Sequence, residues 1–256
     1  MKAWRAAALI LLALGCPCAC HRVFVGREGA RGRGRWRPPA RAAAAARGTP
    51  TDPGLPRSAP SAWAPTDPAL ATDLWTRSVL CWVQKCVIGL ELCPWASASV
   101  NTGGTRVIVA EGDEEAVLAC VGDELRLLSA TDGLERATTL IASPNAFRSF
   151  EAFLEGAEEV NDMIEELALE GVLQLATFHP DYQFAETKAD DASNWTNRSP
   201  LPIFHLLRER EVAHALGVGM MDRDDVWRRN VERTRALGRV HMRKLVGGCS
   251  PRVLSR

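Results

Sequence analysis

Residues 171–200 read GVLQLATFHPDYQFAETKADDASNWTNRSP, and where this stretch is divided decides the fold. Its first part, Val172–Phe178, is short and apolar and reads as a strand. Polarity then rises sharply, with His, Asp, Asn, Thr and Ser crowded between Phe178 and Pro200. A loop of roughly 20 residues without structure of its own is uncommon in a compact domain and tends to carry function. Moving toward the N-terminus, TTLIA (Thr138–Ala142) and TRVIVA (Thr105–Ala110) read as two further strands. Between them, Asp113–Ser129 reads as a helix through Val117, Val121, Leu125 and Leu128. Ser143-Pro144 reads as a cap with proline in the first helical turn. The stripe after it runs through Phe147, Phe150, Leu154, Ala157, Val160, Ile164 and Leu167. Leu74–Ile88 is helical in spacing and stopped by Gly89, and an irregular segment, LELCPWASAS, follows. Toward the C-terminus, Ser199-Pro200 opens a helical stretch containing IFHLLRE, and a last helix runs from Asp222 to Leu237. The order α-β-α-β-α-β-α-α predicts a single compact α/β (or α+β) domain. Its sheet should be small, mostly parallel or ferredoxin-like, with about three or more strands packed with four to five helices.

The first part of the chain has a different character. Residues 1–20 have a basic start (Lys2, Arg5), an apolar run and small residues at Cys18 and Cys20, the layout of a signal peptide. Residues 21–50 are rich in Arg and Ala with one acid, Glu28, the composition of a transit peptide. This two-part leader resembles those that direct proteins to secondary plastids, so a plastid is the expected location, with secretion or another organelle as alternatives. Residues 51–69 are a Pro-rich linker, 70–240 the folded domain and 241–256 a flexible tail. The net charge of zero hides this division: from Leu70 onward there are 20 Lys and Arg against 28 Asp and Glu. An acidic domain disfavours nucleic acid as a partner, because phosphate neutralisation supplies most of that affinity. No run after the leader approaches the ~20 apolar residues of a membrane span. Five of the eight cysteines lie beyond the leader, Cys81, Cys86, Cys93, Cys120 and Cys249. Their odd number and lack of CxxC spacing do not suggest a disulfide framework. The sequons at Asn194 and Asn197 overlap the polar loop and read as chance matches.

The loop leaves the end of a strand, where α/β folds bind ligands. His179 precedes Pro180 and is biased to extended backbone, so His179 and Asp181 are expected to project the same way. On the following helical stretch, His205 and Glu209 are four apart and share a face. Cys93, before Pro94, lies in the irregular segment ahead of the first strand.

The blocks CVIGLELCPWA (86–96), GVLQLATFHPDYQF (171–184), DDASNWTNRSPLPIFHLLRER (190–210) and RNVERTRALG (229–238) are similar to those of domain-of-unknown-function family 1415. The resemblance covers nearly all of residues 70–238 and implies recurrent positions rather than a reaction. On those positions it singles out Cys93, His179, Asp181, Tyr182, Gln183, Asp191, Asn194, Thr196, Asn197, Arg198, Ser199, His205, Arg208, Glu209, Arg229 and Asn230.

Three functions follow as expectations. The first is an enzyme or binding protein for a small polar or anionic molecule. Cys93 would be nucleophile, His179 its base and Asp181 a third catalytic group, with Arg198 clamping the anion and Asn194 and Asn197 orienting it. Tyr182, Gln183, Thr196, Ser199, His205, Arg208, Glu209 and Asn230 complete that candidate binding set. The second is a metal site drawn from His179, Asp181 and His205. The third is a non-catalytic assembly or regulatory factor with a protein partner, in which the NWTNRSP loop is a rigid turn scaffold. No glycine-rich phosphate loop or nucleophile elbow is present, so no nucleotide cofactor is implied.

Overall fold

The computed structural model describes residues 74–254, apart from Leu134 and residues 219–222. The leader and linker expected over residues 1–69 lie outside the described residues. Four strands form one mixed sheet in the order β1-β2-β4-β3. They are β1 (Thr105–Val109), β2 (Thr138–Ala142), β3 (Leu173–Phe178) and β4 (Ile203–Arg208). The connection from β1 to β2 runs through α3 (Glu114–Ala130), and a crossover helix of this kind joins strands that run parallel, as β1 and β2 do. The next crossover, through α4 (Phe150–Glu166), sets β3 down one place further on and leaves a gap. β4 fills it, antiparallel to both neighbours, with His205 opposite Leu140 on one side and Ala176 on the other. The α/β class is therefore as expected, while the sheet has one parallel pair and two antiparallel pairs.

Helices cover both faces, and all five residues of β2 are buried. On one face α3 and α4 pack together. There Phe204 meets Phe153 with ring centroids 4.7 Å apart, and the Thr139 hydroxyl donates to the Glu124 carboxylate. The opposite face meets α1 (Leu74–Trp82), where Trp82 packs edge-on against Phe178 at 5.0 Å. α1 runs into a π-helical stretch, Val83–Ile88, and the short α2 (Ala96–Asn101) follows. α5 (Glu209–Val218), α6 (Arg223–Gly247) and α7 (Pro251–Leu254) complete the order. No helix among the described residues is long and apolar enough to cross a membrane.

The local chemistry explains most element ends. Asp113 caps α3 by accepting from the Ala116 N–H, and Ser149 caps α4 by accepting from Ala152. The α4 cap is thus six residues beyond the expected Ser143, whose hydroxyl instead donates to the Ala146 carbonyl in the preceding loop. Phe147, expected on the helix, stands before it with a positive φ of 55° and is buried. The buried stripe of α4 is Phe153, Gly156, Ala157, Val160, Met163 and Ile164. α6 is bent at Gly238, whose φ of 77° only glycine adopts cheaply.

Two expectations are corrected outright. Residues 203–208 form the interior strand β4, not a helix, so His205 belongs to the sheet while Glu209 opens α5. Residues 241–254, expected to be a flexible tail, are helical and packed, with Met242, Val246 and Cys249 buried.

Candidate functional site

The polar loop after β3 folds by hydrogen bonding to itself, and it includes a short 3-10 helix, Ala192–Thr196. Asn194 is fully enclosed. Its Oδ1 accepts from the Phe184 N–H at 3.0 Å and the Thr187 hydroxyl at 2.7 Å, and its Nδ2 donates to the Lys188 carbonyl at 2.8 Å. The Asn197 Nδ2 donates to the Thr177 carbonyl and its Oδ1 accepts from the Thr196 hydroxyl. Arg198 donates to the carbonyls of Tyr182 and Ala189 and lies over the Trp195 ring at 4.8 Å. The Ser199 hydroxyl donates to the Leu201 carbonyl, and Gln183 donates to the Thr187 carbonyl. Tyr182 packs against Phe150 and edge-on to Phe184. Both sequon asparagines are buried. These side chains serve the backbone of the loop, since buried carbonyls left unpaired are costly.

His179 belongs to the same scaffold. It is wholly buried, with Phe150 and Phe153 of α4 5.3 and 5.2 Å from its ring. The Nε2–H donates to the Phe147 carbonyl at 3.0 Å, and Nδ1 accepts from the Asp181 N–H at 3.0 Å. Both nitrogens are therefore occupied, and burial pushes the imidazolium down, so the ring is held neutral. Asp181 does not project beside it: its backbone serves His179 while its side chain is exposed.

On the other face of the sheet is a cavity of about 110 Å³. Its walls come from Trp82, Val83 and Val87 of the first helical region, Leu92 to Ala96, Ser99 and Val100 around α2, and Val212 and Val226 of α5 and α6. Its floor is the sheet, through Thr105, Thr138, Leu140, Ala176, Phe178, His205 and Leu207. None of these residues is Asp, Glu, Lys or Arg. The Thr138 hydroxyl donates to the Leu206 carbonyl at 2.5 Å and lies 2.7 Å from the His205 Nε2. Ser99 and Thr105 bond each other at 2.6 Å. Burial pushes the His205 imidazolium down to about 3. Burial likewise raises the Cys93 thiol, which the N–H groups of Trp95 and Ala96 and the charge of Arg229 offset only in part.

The sequence-derived set thus divides. Cys93 and His205 both line the cavity. His179, Tyr182, Gln183, Asn194, Thr196, Asn197, Arg198 and Ser199 build the loop, and none of them lines the cavity. The proposed Cys93–His179 pair is separated by the sheet, because Phe178 and His179 are successive residues that turn to opposite faces. The same separation divides His179 from His205, and among the described residues no three His, Cys, Asp or Glu side chains gather as a metal ion requires. Arg208 donates to the carbonyls of Leu128, Thr131 and Arg136, tying down the C-terminal end of α3. Glu209 pairs through its backbone N–H with Val172. Asn230 and Arg229 hold the segment before Cys93, donating to the carbonyls of Leu92 and Glu91. Sequence reasoning missed Trp82, Thr138 and Ala176. The strand period from Thr138 to Leu140 and Ala176 to Phe178 was the signal that puts them on one face.

A mixed sheet clad on both faces, with a cavity free of Asp, Glu, Lys and Arg against one of them, defines an α/β protein with an apolar pocket. The chain belongs to the family described as "Protein of unknown function (DUF1415)", whose model matches residues 75–244. No curated protein and no solved structure matches it.

Proposed function

We propose that this protein binds a small, largely apolar molecule in the cavity between the sheet and α1, α2, α5 and α6. The observation that carries this reading is the cavity itself, about 110 Å³ and lined without Asp, Glu, Lys or Arg. A ligand seated there removes apolar wall from water, worth about 25 cal/mol per Å² of apolar surface covered. The anionic ligand suggested by Arg198 has no counterpart at the cavity, since that guanidinium is committed to loop carbonyls.

Catalysis by Cys93 is the weaker reading. A nucleophilic cysteine needs its thiol pKa depressed beside a base or cation. Here burial pushes the thiol up and the imidazolium down, so each group favours its neutral form over thiolate or imidazolium. Calorimetric titration of the purified chain with toluene, indole and phenol should give saturable 1:1 binding and a raised Tm. Ala176→Leu, which fills the floor, should abolish binding while the protein stays folded. Unchanged heats and Tm with all three compounds would sink the reading.

A further inference from the structure

The protons around His205 can be placed one by one, and they specify what the cavity accepts. The Thr138 hydroxyl has a single hydrogen. The Leu206 carbonyl can only accept, and it takes that hydrogen at 2.5 Å. Toward His205 the Thr138 oxygen is therefore an acceptor, and the contact at 2.7 Å places a hydrogen on Nε2. A neutral imidazole with Nε2–H keeps its lone pair on Nδ1. Among the described residues nothing donates to Nδ1, and the atom is not sealed off from accessible space. His205 itself lines the cavity floor.

Building on the binding reading above, we propose that the cavity selects a neutral single-ring compound bearing one hydroxyl or N–H donor, of the phenol class, which His205 Nδ1 accepts. An anion would face a lone pair and no cation. An ammonium would find no carboxylate on these walls to pair with its charge. A bare hydrocarbon fits the walls but leaves Nδ1 without a partner. The volume suits about one ring, since an engineered cavity of about 150 Å³ takes benzene. Burial keeps the ring neutral over the physiological range, so this acceptor does not switch.

The test compares phenol, toluene and benzoate on the full chain by calorimetry, in the wild type, His205→Phe and Thr138→Val. In the wild type phenol should bind and benzoate should not. The ratio of phenol to toluene affinity should fall about tenfold or more in His205→Phe, the size expected when a buried donor loses its acceptor. It should fall in Thr138→Val too, because Nε2–H loses the partner that fixes the tautomer. Nitrogen NMR of the wild type supplies a readout independent of any variant's folding: the His205 Nδ1 should carry the shift of an unprotonated nitrogen. An Nδ1–H tautomer, benzoate binding as tightly as phenol, or a ratio unchanged in both variants would each overturn the donor rule. Toluene binding in those cases would leave the cavity reading intact, whereas failure of both toluene and phenol would overturn both.

Discussion

Asp191 joins the loop to α6. Its Oδ1 accepts from the Ser193 N–H at 2.8 Å, capping the 3-10 turn, and the two carboxylate oxygens receive Arg235 at 3.2 and 2.9 Å. Arg235 first, and then the Ser193 bond, hold the carboxyl at about 2, against an ordinary value of 3.8. A folded-state pKa below the unfolded one means that the pair's stabilisation is complete above about pH 4. It is lost as pH falls toward 2. Arg235 is more than half exposed, so screening limits the pair to about 0.5–1 kcal/mol. Asp191→Asn keeps a capping oxygen but loses the ion pair. Its Tm should lie below that of the wild type at pH 7, and the gap should close between pH 4 and 2. A gap that is constant over this range would show that the carboxylate charge is not responsible. At this scale the sequence disclosed where polar groups concentrate but not what they serve. Asn194 and Arg198 look like ligand-binding groups because their types are right for it. Only the positions of the Phe184 N–H and of the Lys188, Tyr182 and Ala189 carbonyls reveal that the loop consumes them.

Among the elements, α4 depends on one missing side chain. A Cβ on Gly156 would lie 2.5 Å from the Phe147 Cε1, so the glycine is what lets that ring lie against the helix. Phe147 is in turn packed edge-on to Phe153 and Phe204, at 6.3 and 5.2 Å. Gly156→Ala should therefore lower stability by about 1–3 kcal/mol, as overpacked cores do, seen as a lower urea midpoint with an unchanged slope. Gly217, exposed in α5 with nothing within 4 Å of its Cβ position, provides the control. Alanine there should be neutral or stabilise by about 0.5–1 kcal/mol. The helices α1, α3 and α4 and the strands β1, β2 and β3 were legible because each has an apolar stripe, a β-branched run or a clear boundary: the acidic side of α4 and the β-branched run of β1 both announce themselves. IFHLLR was misread for a physical reason. As an interior strand covered on both faces, its pattern of burial shows no two-residue alternation. Its Leu, Arg and Glu neighbours are all good helix formers. That single misreading also hid the site, since the register of β4 decides that His205 meets Thr138.

At the scale of the whole molecule, the cavity wall is held from far along the chain. The Ser78 hydroxyl donates to the Cys249 carbonyl at 2.6 Å, the Cys81 and Cys249 sulfurs lie 2.9 Å apart, and Arg77 donates to the Leu254 carbonyl at 3.0 Å. These partners are separated by 168 to 177 residues. Trp82 and Val83, at the other end of the same helical region, face the cavity. A chain ending at Gly247 should therefore show a lower Tm and a weaker affinity for phenol, although no cavity-lining residue has been removed. Full affinity in the shortened chain would show that α1 is held by the sheet alone.

The same long-range packing sets a timetable. During synthesis the apolar side of α1 appears early, but Cys249 is added only after about 10–30 s more at ordinary rates of chain growth. Throughout that interval the side of α1 that carries Ser78 and Cys81 lacks its final partner. α1 therefore completes its packing only when nearly the whole domain has been made.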